Sequence, residues 1–568
     1  MFLIGLVAAT FLGSVVAQAD SDNDGILDEK ESQLASMYCP YLHFASGESF
    51  FPTEVNYHIE NSELYLKSDD TSTLVDSSPT TTSISLYSSE DYFLNNTLGS
   101  FEGIAQDYEQ EKDNLRYTVY ARVTQSAEYY IVQFWFFYAF NTGINQHQGD
   151  WEMVSIVLDS AETPLYAAYS QHFSGERAAW EDVEKTDDTH PRVYVALGSH
   201  ANYFRSYQGK LGVEGDIVGS AQVLEPTDLQ VVLLGEKGIG NHPASQDWLE
   251  FGGRWGNWAR QVDVVLGAVG PRTPGHGENA EKWDDPTVWA GDMFVVSQSW
   301  FTMSWITYYF LYIFAVVIAI IAVFKVWRIV RRRRQGKLNL IRIMRSKGSL
   351  GLVLGIAGIA LYFVALVLPW YLVMGDIQTT VLETAGTTEL VRIDGINGIL
   401  VNTMQDDQGL ARLFGLGIPF SIILSTSVLL NILDIVGVEK SRGLAKKFIM
   451  SGISSLIPVI LILVFISQLT GLVMPFAESM AGGEAIPPQI EEIARRMSSS
   501  PITGEYSGVI ETYGSLYVTW GLALGSYLFI AAAIVKIVAG VLTRQISTPS
   551  ESEAPSTKEA EKDQNDAS

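Results

Sequence analysis

The residues with the clearest chemical potential are His147-Gln-Gly-Asp-Trp-Glu152. Asp150 and Glu152 stand two apart, so on a strand their carboxylates leave the same face. His147 lies just upstream, in a turn rich in Gly, Asn and Gln, where it can fold back over them. Two carboxylates side by side are costly to bury unless a cation, a hydrogen-bond network or a proton compensates. A divalent cation held by His147, Asp150 and Glu152 is the sharper expectation, and a structural network at a strand end is the plainer one. His200, in Gly198-Ser199-His200-Ala201-Asn202, follows a candidate strand and can bring a second imidazole to the same end, as can His172. Arg254 and Trp255 are candidates for a wall of the same cleft, or for packing alone.

These side chains need a sheet to position them. After Trp151 the chain alternates Glu152, Val154, Ile156, Leu158 against Met153, Ser155, Val157, with both faces largely apolar. That pattern predicts an interior strand. Further strands are expected at 117–123, 129–140, 165–171, 192–196 and 229–234, separated by Gly, Asn, Asp and Pro. Residues 68–90 are rich in Ser, Thr and Asp and predict a surface loop. The expected architecture over 36–295 is a β-sandwich with long loops. Asn95-Asn96-Thr97 is a glycosylation sequon.

A second chemical pattern precedes this region. Residues 20–31 read Asp-Ser-Asp-Asn-Asp-Gly-Ile-Leu-Asp-Glu-Lys-Glu, with Gly25 at the sixth position. The spacing is that of a calcium loop: carboxylates from Asp20, Asp22, Asp24 and Glu31, the carbonyl of Ile26, and Asp28 directly or through water. It resembles the short loops of thrombospondin type 3 and dockerin-like modules more than a full EF-hand, because no helix precedes it. Residues 20–35 are accordingly read as a calcium-binding segment of structural purpose.

The charge distribution divides the chain. Residues 20–300 hold 44 acidic and 15 basic side chains, a balance of −29 against −27 for the whole, so the remainder sums to +2. All eight histidines also lie in the first part. Such an acidic region repels phosphates and does not suit nucleic acid. Cys39 is the one cysteine, so no intrachain disulfide forms.

Residues 2–16 are apolar and run into Ala17-Gln18-Ala19, which predicts a signal peptide over 1–19. Five later stretches are long and apolar enough to cross a bilayer: 304–327, 350–374, 413–436, 449–474 and 517–542. They predict an all-α membrane region of five helices over 304–542. Arg331 to Arg334 follow the first, and Lys440, Arg442, Lys446 and Lys447 lie between the third and fourth. The positive-inside rule puts both clusters in the cytoplasm, the first part of the chain and the loops 375–412 and 475–516 outside, and the tail inside. Asp434 and Lys536 are charged groups within spans, with pairing or snorkelling as their expected fates. Residues 543–568 have the composition of a disordered tail.

Several stretches together resemble the vacuolar protein sorting-associated protein 62 family: 38–44, 50–55, 147–152, 193–203, and Gly253-Arg-Trp-Gly256 with Gly270-Pro271. That likeness covers most of 36–292 and implies a fold more than a function. The same hexapeptide also resembles part of the heptapeptide of the necrosis-inducing cytolysins, which are β-sandwiches holding a divalent cation beside a sugar-headgroup site. The resemblance implies His147, Asp150 and Glu152 as ligands, with Gly149 replacing a second histidine and uncharged Asn141 near the position of an upstream aspartate.

Three functional classes follow. The favoured one is a membrane-anchored cell-surface protein whose metal-containing sandwich binds glycan or lipid headgroups. The second is a membrane-tethered hydrolase in which the cation activates water. The third is a transport or sensing bundle. The chain has no nucleophile elbow, zincin helix motif or phosphate-binding glycine loop.

Overall fold

The computed structural model describes residues 19–68, 71–99, 101–112, 114–143, 146–171, 174–209, 216–256, 270–337, 349–379, 387–402, 410–412, 426, 430, 432–433, 436, 441–470, 488–510 and 514–545. Residues 1–18 of the expected signal peptide, His172, Asp434 and the tail from 546 lie outside them, as does most of the expected span at 413–436. The chain forms two compact units, one reaching Met303 and the other beginning at Ser304. The first therefore runs past the expected limit at 295: the strand Phe294–Val296 closes an edge of its large sheet.

That sheet has seven strands. In spatial order they are Leu229–Leu233, Tyr117–Ser126, Tyr129–Asn141, His147–Leu158, Pro164–Gln171, Ser174–Ala179 and Phe294–Val296. The long middle strands are antiparallel neighbours, and the two outermost pair in parallel. All six expected strands are present; five belong here, and His190–Val195 joins a five-stranded sheet with Tyr41–Phe44. The alternation after Trp151 sorts side chains as expected. Val154, Ile156 and Leu158 join Phe134, Phe136 and Tyr138 in one core, which also takes Leu42, Phe44, Val193 and Val195 from the five-stranded sheet. Trp151 and Met153 point the other way, into a second core with Trp135, Phe137, Trp248, Trp255 and Trp283. Both faces of the large sheet are thus covered, and every residue of His147–Leu158 is buried.

One expectation for this unit needs correction. Residues 68–90 are not one loop: Thr71–Asp76 pairs with Ser62–Ser68, and Thr81–Ile84 is a helical turn with a Thr80–Ser83 capping box. Short helices also recur, at Asp28–Tyr38, Val55–Glu60 and Phe101–Glu111. Each is brief and leans on the sheets for its apolar contacts, so helical period is hard to see in the sequence.

The second unit is not all-α. It holds a six-stranded antiparallel sheet, in the order Leu410–Arg412, Gly398–Asn402, Thr388–Asp394, Pro369–Thr379, Gly514–Leu522, Thr503–Ile510. Pro369 explains one change. Its ring ends the helix Ser349–Val367 and disfavours helical geometry in Leu368, so the apolar run continues as a strand. Likewise 517–522 is strand, and helix begins at Leu524. Among the described residues four helical stretches are long and apolar enough to span a membrane: Tyr312–Arg334, Leu350–Val367, Gly443–Ser467 and Leu524–Arg544. The expected loops 375–412 and 475–516 contribute strands to this one sheet. Lys536 does not snorkel. It is 1 % exposed, donates to Ser455 Oγ at 3.0 Å and lies 4.5 Å from the Tyr362 ring centre.

Candidate functional site

The hexapeptide opens its strand beside Asn141, its cross-strand partner being His147. Asp150 faces Tyr138 and Glu152 faces Phe136, so both carboxylates leave the first-core face, as their spacing requires. All three candidate ligands are buried, with 9, 6 and 3 % exposure for His147, Asp150 and Glu152. Gly149 makes the local path available. Its φ is +65°, and a Cβ there would meet the Trp255 carbonyl oxygen at 2.5 Å.

Each side chain has a partner. Asp150 Oδ2 accepts from Asn141 Nδ2 at 2.9 Å and from His200 Nδ1 at 2.8 Å. His147 Nδ1 donates to the Gly149 carbonyl at 2.7 Å. Glu152 accepts from the Ser170 hydroxyl. The expected second imidazole is thus His200. Asn141 serves Asp150 as a donor, while its own Oδ1 accepts from Gly143 N at 2.8 Å. Arg254 donates to the Gly270 carbonyl at 3.2 Å. Trp255 packs in the second core, with its indole N–H on Thr273 Oγ1 at 2.9 Å.

Sequence reasoning missed Glu48. Its carboxylate accepts from the backbone N–H groups of Ser49, Phe50 and Gly198 at 2.8, 3.0 and 2.9 Å, and lies 3.7 Å from His200 Nε2. His200 therefore sits between two carboxylates, completely buried, with its ring stacked on Tyr138 at 3.8 Å and 2°. Its backbone holds φ +56°, an uncommon conformation for a residue with a Cβ. Gly198 fixes the turn: at φ +71°, a Cβ would overlap Thr142 Oγ1 at 1.9 Å.

The charges follow from this enclosure. Burial alone pulls the His200 imidazole down, but the hydrogen bond to Asp150 and the charge of Glu48 outweigh it and push the group up to about 9. Burial raises Asp150, and the His200 bond, the nearby imidazoles and the Asn141 amide outweigh that and hold it below the usual carboxylate range. Glu48 is likewise held low, with burial overcome by His200 and by backbone donors. The arrangement is a buried imidazolium flanked by two carboxylates. Tyr138 Oη and His200 Nε2 are buried without a hydrogen-bond partner among the described residues.

The N-terminal loop gathers three carboxylates. Ligand oxygens of Asp20, Asp22 and Asp24 lie within 4.8 Å of one another. Gly25, at φ +93°, makes the sharp bend. Asp28 is occupied: its carboxylate accepts from Ser21 N and Oγ at 2.8 and 2.9 Å. Burial, then the charge of Asp24, raises Asp22 to about 6. Burial, then the charges of Asp22, Asp24 and Asp28, raises Glu31 to about 8. Among the described residues, these three aspartates are the one acidic or imidazole group gathered closely enough to hold an ion without rearrangement.

With this geometry in hand, the comparisons are specific. Residues 28–262 match the family model of vacuolar protein sorting-associated protein 62. The resemblance read from the sequence is borne out for the N-terminal unit, and the match stops short of the membrane part. No curated protein matches the chain. Among solved structures, "NLPPya in complex with mannosamine" is 14 % identical, over 46 % of this chain and 89 % of its own, with a TM-score of 0.24. The non-toxic HaNLP3 protein is 14 % identical over 45 and 89 %, TM-score 0.23. Necrosis and Ethylene inducing Protein 2 from the causal agent of cocoa's Witches Broom disease is 17 % identical over 33 and 74 %, TM-score 0.19. Likenesses this slight carry no weight for fold or ligand.

Proposed function

We propose that this is a membrane-anchored protein of the cell surface whose N-terminal unit, a β-sandwich, binds glycan or lipid headgroups through a divalent cation at the His147–Glu152 strand end. The observation that carries this is the pair of buried carboxylates, Asp150 and Glu152, that leave one face of the strand with His147 beside them. Buried polar atoms are ordinarily satisfied by protein, ordered water or a bound group. The donor types suit a hard cation, and because His147, Asp150 and Glu152 are not gathered as closely as the three N-terminal aspartates, they would close up on binding it. Both hydrogen bonds that Asp150 takes from described residues reach Oδ2, so Oδ1 is the oxygen available to an ion. Glu152 adds a second carboxylate on the same face, and His147 keeps Nε2 for a ligand while Nδ1 is held by the Gly149 carbonyl.

The chain's own residues do the positioning. Glu48 and Asp150 hold His200 as a cation, and His200 in turn fixes the Asp150 carboxylate in plane. A bound ion would supply positive charge that oxygen-rich headgroups, sugar hydroxyls or phosphate, can coordinate. Arg331 to Arg334 end the helix Phe310–Arg334, and the positive-inside rule supports a cytoplasmic place for them and an outside one for the N-terminal unit.

The test uses full-length protein in detergent on a glycan array and on vesicles carrying glycosylated or phosphorylated lipids. Binding should require a divalent cation and vanish in Asp150→Ala and Glu152→Ala. Binding that persists in chelator and in both variants defeats the proposal; metal-dependent turnover of esters, phosphodiesters or glycosides would replace it with the hydrolase.

A further inference from the structure

We propose that the loop 20–31 is a calcium site which clamps the helix Asp28–Tyr38 onto the seven-stranded sheet, through Asp20, Asp22, Asp24, the Ile26 carbonyl and Glu31, with Asp28 withdrawn from the direct ligands. It is separate from the His147–Glu152 strand end.

The aspartate cluster does not carry this alone. Glu31 is 5 % exposed, and its Oε1 is buried without a hydrogen-bond partner among the described residues. It stands at the twelfth loop position, where calcium loops place the carboxylate that closes the coordination shell with two oxygens. After burial, the charges of Asp22, Asp24 and Asp28 weigh most on its carboxyl, so it lies beside the cluster. Asp20 Oδ1 is a second buried oxygen without a described partner. A carboxylate oxygen is a pure acceptor when ionised, so the three gathered aspartates and the buried Glu31 near them cannot satisfy one another. A cation resolves that conflict. The all-oxygen set and the twelve-residue spacing suit Ca2+, whereas Mg2+ demands a tighter octahedron and gives up its water reluctantly.

The clamp follows from what the loop touches. Glu31 lies in the first turn of the helix Asp28–Tyr38, whose Leu34, Ala35 and Tyr38 enter the first core beside Val119, Ala121 and Val123 of the sheet. Glu236, just beyond the strand Leu229–Leu233, adds its charge to Asp22, Asp24 and Glu31. It is itself held by buried Arg122, which donates from Nε at 2.7 Å. One ion thus ties the start of the described chain to two neighbouring sheet strands, and Asp28, bound by Ser21, is left to order the helix N-terminus.

The test is thermal unfolding of the full-length protein in detergent, followed by tryptophan fluorescence, with chelator, Ca2+ or Mg2+. At about a hundred-fold excess over Kd, Ca2+ should raise the midpoint by about 5–10 °C. Glu31→Gln and Asp24→Asn should abolish that rise, while in chelator Glu31→Gln should melt at or above the wild type because it relieves repulsion. Asp150→Asn should keep the calcium response, which separates this site from the proposed headgroup site. No calcium shift in the wild type, an equal shift with Mg2+, or a Glu31→Gln variant that melts lower in chelator would each overturn the assignment.

Discussion

Replacing Asp150 by Asn should expose how the buried imidazolium is held. In the wild type His200 rises from 6.5 to about 9 although burial opposes its charge. That interval corresponds to about 3 kcal/mol of preferential stabilisation of the folded, protonated form. Asp150 is the closer carboxylate, at 2.8 Å against 3.7 Å for Glu48, so the larger share belongs to it, about 2 kcal/mol. A group raised in the folded state gives its full contribution below its unfolded pKa of 6.5 and loses it as pH rises through 9. At pH 6 the variant should therefore unfold about 4–8 °C below the wild type. At pH 10 His200 is neutral in both, and the gap should shrink toward zero. The assay is tryptophan fluorescence on full-length protein in detergent, with chelator present so that no ion contributes. A gap below about 1 °C at pH 6, or one of equal size at both pH values, refutes the imidazolium bridge.

Two further outcomes are expected. Burial raises the Glu176 carboxyl to about 7, against the hydrogen bond from Gln208 Nε2 at 2.8 Å. Its neutral form is favoured in the fold, so stability should be full below pH 4.5 and fall by about 3 kcal/mol as pH rises through 7; Glu176→Gln should flatten that slope in a pH series of melts, and an unchanged slope rejects the cause. For topology, Ile396→Cys, at an exposed turn of the second unit's sheet, should react with an impermeant thiol reagent on intact cells. Leu340→Cys, after the arginine cluster, should not, and the opposite pattern reverses the orientation.

What was legible in the sequence was periodic. The strands of the large sheet are runs of β-branched and aromatic residues bounded by turn formers, and two carboxylates inside such a run stand out against it. Asn141 and His200 were within reach because they flank strand ends. Glu48 was not. It sits in a loop without period, between two stretches that carry the family resemblance, and meets Gly198 across 150 residues of sequence. Gly47-Glu48 in that gap was the available signal. The second unit was misread where hydropathy was the guide, because an apolar run does not distinguish helix from strand. Trp370, Tyr371 and Val373 are apolar enough for a span, yet they lie in a sheet core beside Leu516, Val518 and Trp520. Pro369 was the local clue. Lys536 was expected at the interface because a cation in apolar surroundings snorkels by default, but Ser455 and Tyr362 give it a buried seat that only tertiary packing reveals.

The central claim is a cation at the opening of the strand His147–Leu158. Anomalous scattering from crystals of the full-length protein soaked in Mn2+ tests it most directly. The account predicts a peak within about 2.0–2.6 Å of Asp150 Oδ1. Anomalous signal at the N-terminal loop alone, with nothing beside Asp150, would contradict it.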